Sequence, residues 1–168
     1  VKTHDLPMRS DSSPSRWAQA WPERTADTYK LRGKLREPSM CSDCGVVYQR
    51  GSWKWLDVPE GAEPVLCPAC HRVRDHQPAG FLKLEGDLLQ LSRDELMNQI
   101  RNVERAEGGE HPLERIMGIE ENGPGWLVTT TGVHLARRLG EALHDAHQGT
   151  LTFQYNQDEK VVRVHWHS

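Results

Sequence analysis

Four cysteines carry the most specific chemistry in this 168-residue chain. They stand as Cys41-Ser42-Asp43-Cys44 and Cys67-Pro68-Ala69-Cys70, two C-x-x-C pairs separated by residues 45–66. A C-x-x-C turn presents two thiolates from one tight knuckle, and zinc takes four such ligands at tetrahedral corners. Gly45 suits the first knuckle, where the backbone curls so that amides point at sulfur. The spacer exceeds the usual ~15–20 residues, and a hairpin plus a Pro59–Pro64 loop fills it. Cys41, Cys44, Cys67 and Cys70 are therefore expected to hold one structural Zn2+, in a cytosolic protein whose thiols stay reduced. A redox pair would want a single C-x-x-C in a βαβ unit, and two matched knuckles favour zinc over an iron–sulfur cluster. A catalytic zinc would keep an open position and usually take a His or carboxylate ligand. His71, beside Cys70, reads as a surface residue.

Cations and aromatics surround these pairs. The run over residues 24–36 holds Arg24, Lys30, Arg32, Lys34 and Arg36 against the single acid Asp27. Tyr48, Arg50, Trp53, Lys54, Trp55, Arg72 and Arg74 follow. Phosphates reward Lys and Arg, and aromatic faces stack unpaired bases. The expected RNA-binding set is Lys30, Arg32, Lys34, Arg36, Arg50, Trp53, Lys54, Trp55, Arg72 and Arg74. Against this, Trp53 and Trp55 would equally well cap the thin core of the metal module.

The elements that must position these groups fall into three segments. Residues 1–23 are Ser/Pro-rich and polar and read as a flexible arm. Residues 24–80 read as a basic segment leading into a four-cysteine zinc ribbon, two knuckles joined by a β-hairpin that carries Trp53 and Trp55 on one face. Residues 81–168 read as a two-layer α+β sandwich of order β-α-β-β-α-β-β. Its strands are expected at 81–84, 113–120, 126–130, 151–155 and 161–166. Its first helix is expected to open on a capping box, Ser92 with Glu95, and to end at Gly108-Gly109. Its second helix, 133–147, is expected to be capped by Thr131 and to line Leu135, Leu139 and Leu143 on one face. His144 and His147 on that helix, and His165 and His167 on the last strand, read as surface residues.

The formal charge of −3 conceals an asymmetry. Residues 24–56 carry a net +4 and residues 81–168 a net −5. A uniformly basic nucleic-acid coat is excluded, whereas a basic docking module attached to an acidic domain is not. No apolar run approaches the ~18 residues that span a bilayer, and residues 1–16 lack the apolar core of a secretory leader. A cytoplasmic protein without membrane contact is expected. No phosphate-binding glycine loop, nucleophile elbow or H-E-x-x-H motif is present. The chain is read as non-enzymatic, with no catalytic residue assigned.

The runs YKLRGKLREPSMCSDCGVVYQRGSWKW, CPAC followed by PAGFLKLEG, NQIRNVERAEGGEHPLERIM, VTTTGVHLARRLGEAL and VVRVHW resemble a family of short bacterial zinc-ribbon proteins of unassigned function. The likeness extends over about 28–166. That family is in turn distantly similar to the large-ribosomal-subunit export adaptor, the nonsense-mediated-decay protein three family. The resemblance implies a ribosome- or RNA-associated role with the four cysteines as zinc ligands. A factor that docks on ribosomal RNA during assembly or stress dormancy is the leading expectation, the acidic domain meeting a protein partner. A zinc-dependent protein-interaction module in transcription or stress regulation comes second, and a metal-dependent enzyme third.

Overall fold

The short apolar runs flanking the first cysteine pair make strands only three residues long. In the computed structural model, which describes Tyr29 and residues 33–168, these are β1 (Ser39–Cys41), β2 (Val47–Gln49), β3 (Ser52–Lys54) and β4 (Glu63–Val65). The expected arm at 1–23, Lys30 and Arg32 lie outside the described residues. The four strands form one sheet in the order β3-β2-β1-β4, with β4 parallel to β1. Part of the expected Pro59–Pro64 loop is thus strand. Pro64 is tolerated there because β4 is an edge that needs no inward N–H from it.

The second cysteine pair does not sit on a hairpin knuckle. Cys67 is the N-cap of helix α1 (Pro68–Arg74), and its sulfur accepts the Cys70 N–H at 3.4 Å. Pro68 takes the first helical position, where its fixed φ is helical and its missing N–H is not needed. One knuckle, a hairpin and a helix start therefore replace the two hairpin knuckles expected of a ribbon.

The larger sheet contains β5 (Gly80–Glu85), β6 (Ile116–Asn122), β7 (Gly125–Thr130), β8 (Thr150–Asn156) and β9 (Val161–His167), in the order β6-β7-β5-β9-β8. Pairing is antiparallel except between β5 and β9. Helices α2 (Leu88–Leu91), α3 (Arg93–Glu110) and α4 (Val133–His147) complete the mixed α+β fold. Alternate residues of the central strands, Leu82, Leu84, Val128, Val162, Val164 and Trp166, are buried against Leu96 and Ile100 of α3 and Leu135, Leu139 and Leu143 of α4. Period two on the strands and the 3–4 spacing on the helices thus meet in one core. Among the described residues, no helix is long and apolar enough to cross a membrane.

Three local expectations are corrected. Ser92 makes no side-chain cap to α3: its N–H closes α2 on the Leu88 carbonyl, and its ψ of 39° departs from the extended backbone from which an N-cap side chain reaches the helix. Gly108 and Gly109 lie inside α3, which continues to Glu110. Thr131 does not cap α4; Gly132 is the N-cap and offers no side chain. The capping acceptor is a carboxylate from the loop before β6, described below with the metal centre.

Candidate metal centre

Cys41, Cys44, Cys67 and Cys70 come together with their sulfurs all within 4.8 Å of one another. None is in a disulfide, and all but Cys44 are buried. A single zinc at about 2.3 Å from four tetrahedral sulfurs holds them about 3.8 Å apart, and Cys44 and Cys67 stand 3.8 Å apart. The donor set therefore suits one zinc ion. A multi-iron cluster spreads its thiolates over several irons and needs a wider ring.

The local backbone prepares this set. Gly45 lies at φ +80°, in the left-handed region that a side chain disfavours, and so closes the first knuckle. The Cys67 N–H donates to the Cys41 sulfur at 3.3 Å. Burial acts against the Cys41 thiolate, but backbone N–H groups of Cys67, Cys44 and Asp43 outweigh it and bring its pKa down to about 6. Burial pushes the Cys67 and Cys70 thiols up instead, and Arg115 only partly offsets this at Cys70. Without an ion, the inner pair thus favours the protonated state.

Arg115 carries no sign of this role in the sequence. It lies just before β6, in the stretch expected to begin that strand at Leu113. Its Nη2 donates to the Cys44 sulfur at 3.1 Å and the Cys67 sulfur at 3.6 Å, and its Nη1 to the Cys70 sulfur at 3.3 Å. Burial opposes its charge, but the sulfurs more than compensate and raise its pKa above the usual guanidinium value. Four thiolates around a divalent ion leave a double negative charge, and this half-buried guanidinium neutralises half of it.

Arg115 is fixed from three sides. Its Nε donates to the Pro112 carbonyl at 2.9 Å, its backbone N–H to Thr131 Oγ1 at 2.9 Å, and its carbonyl accepts the Thr131 N–H at 2.9 Å. Thr131 thus holds the 113–115 segment in place rather than capping α4. Glu114 supplies the cap, accepting the Leu135 N–H at 2.9 Å. Leu113 packs against the cysteine cluster, and the Trp55 indole donates to the Gly108 carbonyl at 2.8 Å. Arg115 also lies 5.9 Å from the centre of the Trp55 ring. The metal module is therefore seated on the end of α3 and the loop that follows it.

The expected RNA-binding residues are placed differently from one another. Trp53 packs on the cysteine cluster and against Tyr48, ring centres 5.2 Å apart. Trp55 lies beyond β3 and is tied to α3. Arg72 is buried, donates to the Gln77 carbonyl and covers the Tyr29 ring. Arg74 is paired with Asp43. Lys34, Arg36, Arg50 and Lys54 are not buried, and Arg36 stands 3.8 Å from Glu63. His71 is exposed and outside the sulfur cluster. On the helices and strands, His147 bonds Gln99 and His165 bonds Glu85, both half-buried rather than on the surface. His144 is half-buried too, whereas His167 is exposed. No family model, curated protein or solved structure matched the chain.

Proposed function

We propose that this chain is a non-enzymatic, zinc-stabilised factor that docks on structured RNA, with ribosomal RNA as its target in assembly or stress dormancy. The observation that carries the reading is the division of labour among its cations. Arg72 and Arg115 are taken up inside the fold, whereas Lys34, Arg36, Arg50 and Lys54 reach solvent on the same module, as does Arg74 beside its partner Asp43. Among the described residues, the only ion pair of those four is the loose Arg36–Glu63 contact. Four sulfurs complete the zinc shell and leave no position for substrate, which favours a structural ion. The zinc then fixes the shape of a small module that presents these cations and has little apolar core of its own. The resemblance of the sequence to short zinc-ribbon proteins points the same way and supplies the ribosome as target; a cytoplasmic site of action goes with it.

Co-sedimentation with ribosomes over a salt series tests this. Binding should weaken steeply with salt, because phosphate contacts release counterions, and charge reversal at Lys34, Arg36, Arg50 and Lys54 should abolish it. Salt-independent binding, or binding untouched by the reversal, overturns it.

A protein-interaction module is the second reading, favoured by strand β8. It is a sheet edge, mostly exposed, and carries Phe153 and Tyr155 about half exposed on an acidic domain. This reading predicts a complex that survives nuclease treatment and is lost on Phe153→Ser with Tyr155→Ser.

A further inference from the structure

The last turn of α3 and the first turn of α4 bring together three ligating side chains that the cysteine centre does not use. Glu107, His111 and His134 each offer one donor atom, all within 4.8 Å of one another. Glu107 and His111 are four residues apart and therefore face the same side of the helix end; the His111 N–H closes α3 on the Glu107 carbonyl. His134 is the second residue of α4, and its Nε2 stands 3.3 Å from Glu107 Oε2. The His111 and His134 rings meet edge to face, centres 5.6 Å apart.

We propose that Glu107, His111 and His134 form a second metal site, binding a first-row divalent ion such as zinc with its remaining positions open to water. Two imidazoles and one carboxylate are a common ligand set for such ions, in contrast to the closed tetrathiolate centre. A tetrahedral ion with bonds of about 2.1 Å sets its ligands about 3.4 Å apart, and the Glu107–His134 separation already matches this.

The surroundings favour an ion as well. Arg138 Nε donates to Glu107 Oε1 at 3.1 Å and is shared with Glu141. This orients the carboxylate and leaves Oε2 for the metal, as an outer contact to a ligand commonly does. His111 and His134 reach solvent, so an ion enters without rearranging the core. The alternative, a plain His134–Glu107 ion pair, gives no role to His111.

The test uses the full chain carrying one zinc on its cysteines, titrated with Co2+ alone. The expected result is a second saturable equivalent with visible ligand-field bands but without the near-ultraviolet thiolate-to-metal charge transfer of a cysteine site, and which excess Zn2+ displaces. His111→Ala and His134→Ala should each weaken this equivalent at least tenfold while leaving the first zinc in place. Glu107→Gln, which keeps the shape and the contact with Arg138, should do the same and guards against a folding defect in either alanine variant. Absence of a saturable second equivalent, or affinity unchanged in the three variants, overturns the proposal.

Discussion

Arg115 Nη2 stands 3.1 Å from the Cys44 sulfur, joining the α+β domain to the metal centre across 71 residues of chain. A guanidinium is a fork of fixed geometry, and here its two ends reach three sulfurs while Nε holds the Pro112 carbonyl. The same side chain therefore neutralises the thiolates and fastens the two sheets to each other.

Removing this fork should weaken metal retention. Arg115→Met keeps most of the stem but leaves the thiolate charge uncompensated in a half-buried site. Metal affinity, measured by competition with a chromophoric chelator, is expected to fall about 10–100-fold, as for other outer contacts to metal ligands. Arg115→Lys retains charge but cannot bridge several sulfurs and should fall between the two. Unchanged affinity in Arg115→Met would show that the contacts are incidental.

Chelation should unfold the two parts unequally. The metal module has a small cluster of its own, chiefly Val46, Ala69, Trp53 and the cysteines. A structural zinc contributes an apparent ~10–16 kcal/mol in finger peptides, far more than such a cluster. The larger sheet rests instead on Leu82, Leu84, Leu96, Ile100, Leu139, Val164 and Trp166. Amide exchange in excess chelator should show protection lost over 39–74 and kept in β5, β9 and α4. Protection lost throughout would mean that neither part folds alone.

The parts of this architecture that were legible in the sequence are those written in local patterns. The C-x-x-C spacing brought four thiols to one point, and the Leu135, Leu139, Leu143 stripe marked the buried face of α4. Pro68 after Cys67 is a helix-start signal of the local kind, and the ribbon reading leaves it out. Arg115, Trp55 and the Glu107–His111–His134 group carried no local signal at all. Each acts through a residue far away in the chain: Arg115 through Cys44, Trp55 through Gly108, Glu107 through His134. Periodicity reports which face of an element is apolar, not which polar group crosses from one element to another. The same holds for the cations: Arg72 looks like the exposed Lys54 in sequence, and only tertiary contacts show that it is buried against Tyr29 and the Gln77 carbonyl.

The start of α4 should be sensitive to a single methyl group. A Cβ on Gly132 would overlap both carboxylate oxygens of Glu114. Gly132→Ala therefore pushes the carboxylate end of Glu114 aside, and the expected consequence is a weakened bond to the Leu135 N–H that it caps. A loss of about 1–3 kcal/mol in urea unfolding is expected. Because Glu114 adjoins Arg115, metal affinity should fall in the same variant. Gly132→Ala with full stability would show that the loop shifts freely.

Acidification should expose the His165–Glu85 pair. His165 Nε2 stands 3.0 Å from Glu85 Oε2, while Lys83 Nζ holds Glu85 Oε1 at 2.8 Å. Burial lowers the His165 pKa, and nearby Lys83 and His167 add to this against the pull of Glu85. An unfolded histidine titrates near about 6.5, so between there and its lower folded value the unfolded chain binds the proton more readily. The stability this residue contributes is complete above about pH 6.5 and is lost as pH falls through the folded value. Glu85 behaves alike at lower pH: burial opposes its charge, but Lys83 and His165 more than offset this and hold it below the usual carboxylate value. His165→Gln should therefore flatten the loss of stability that sets in as pH falls below about 6.5, and Glu85→Gln the loss that sets in as pH falls through the usual carboxylate range. Denaturant unfolding of the three proteins at matched pH values checks this. A steeper loss in His165→Gln than in the wild type would mean that the histidine is held charged in the fold, the opposite of what its burial dictates.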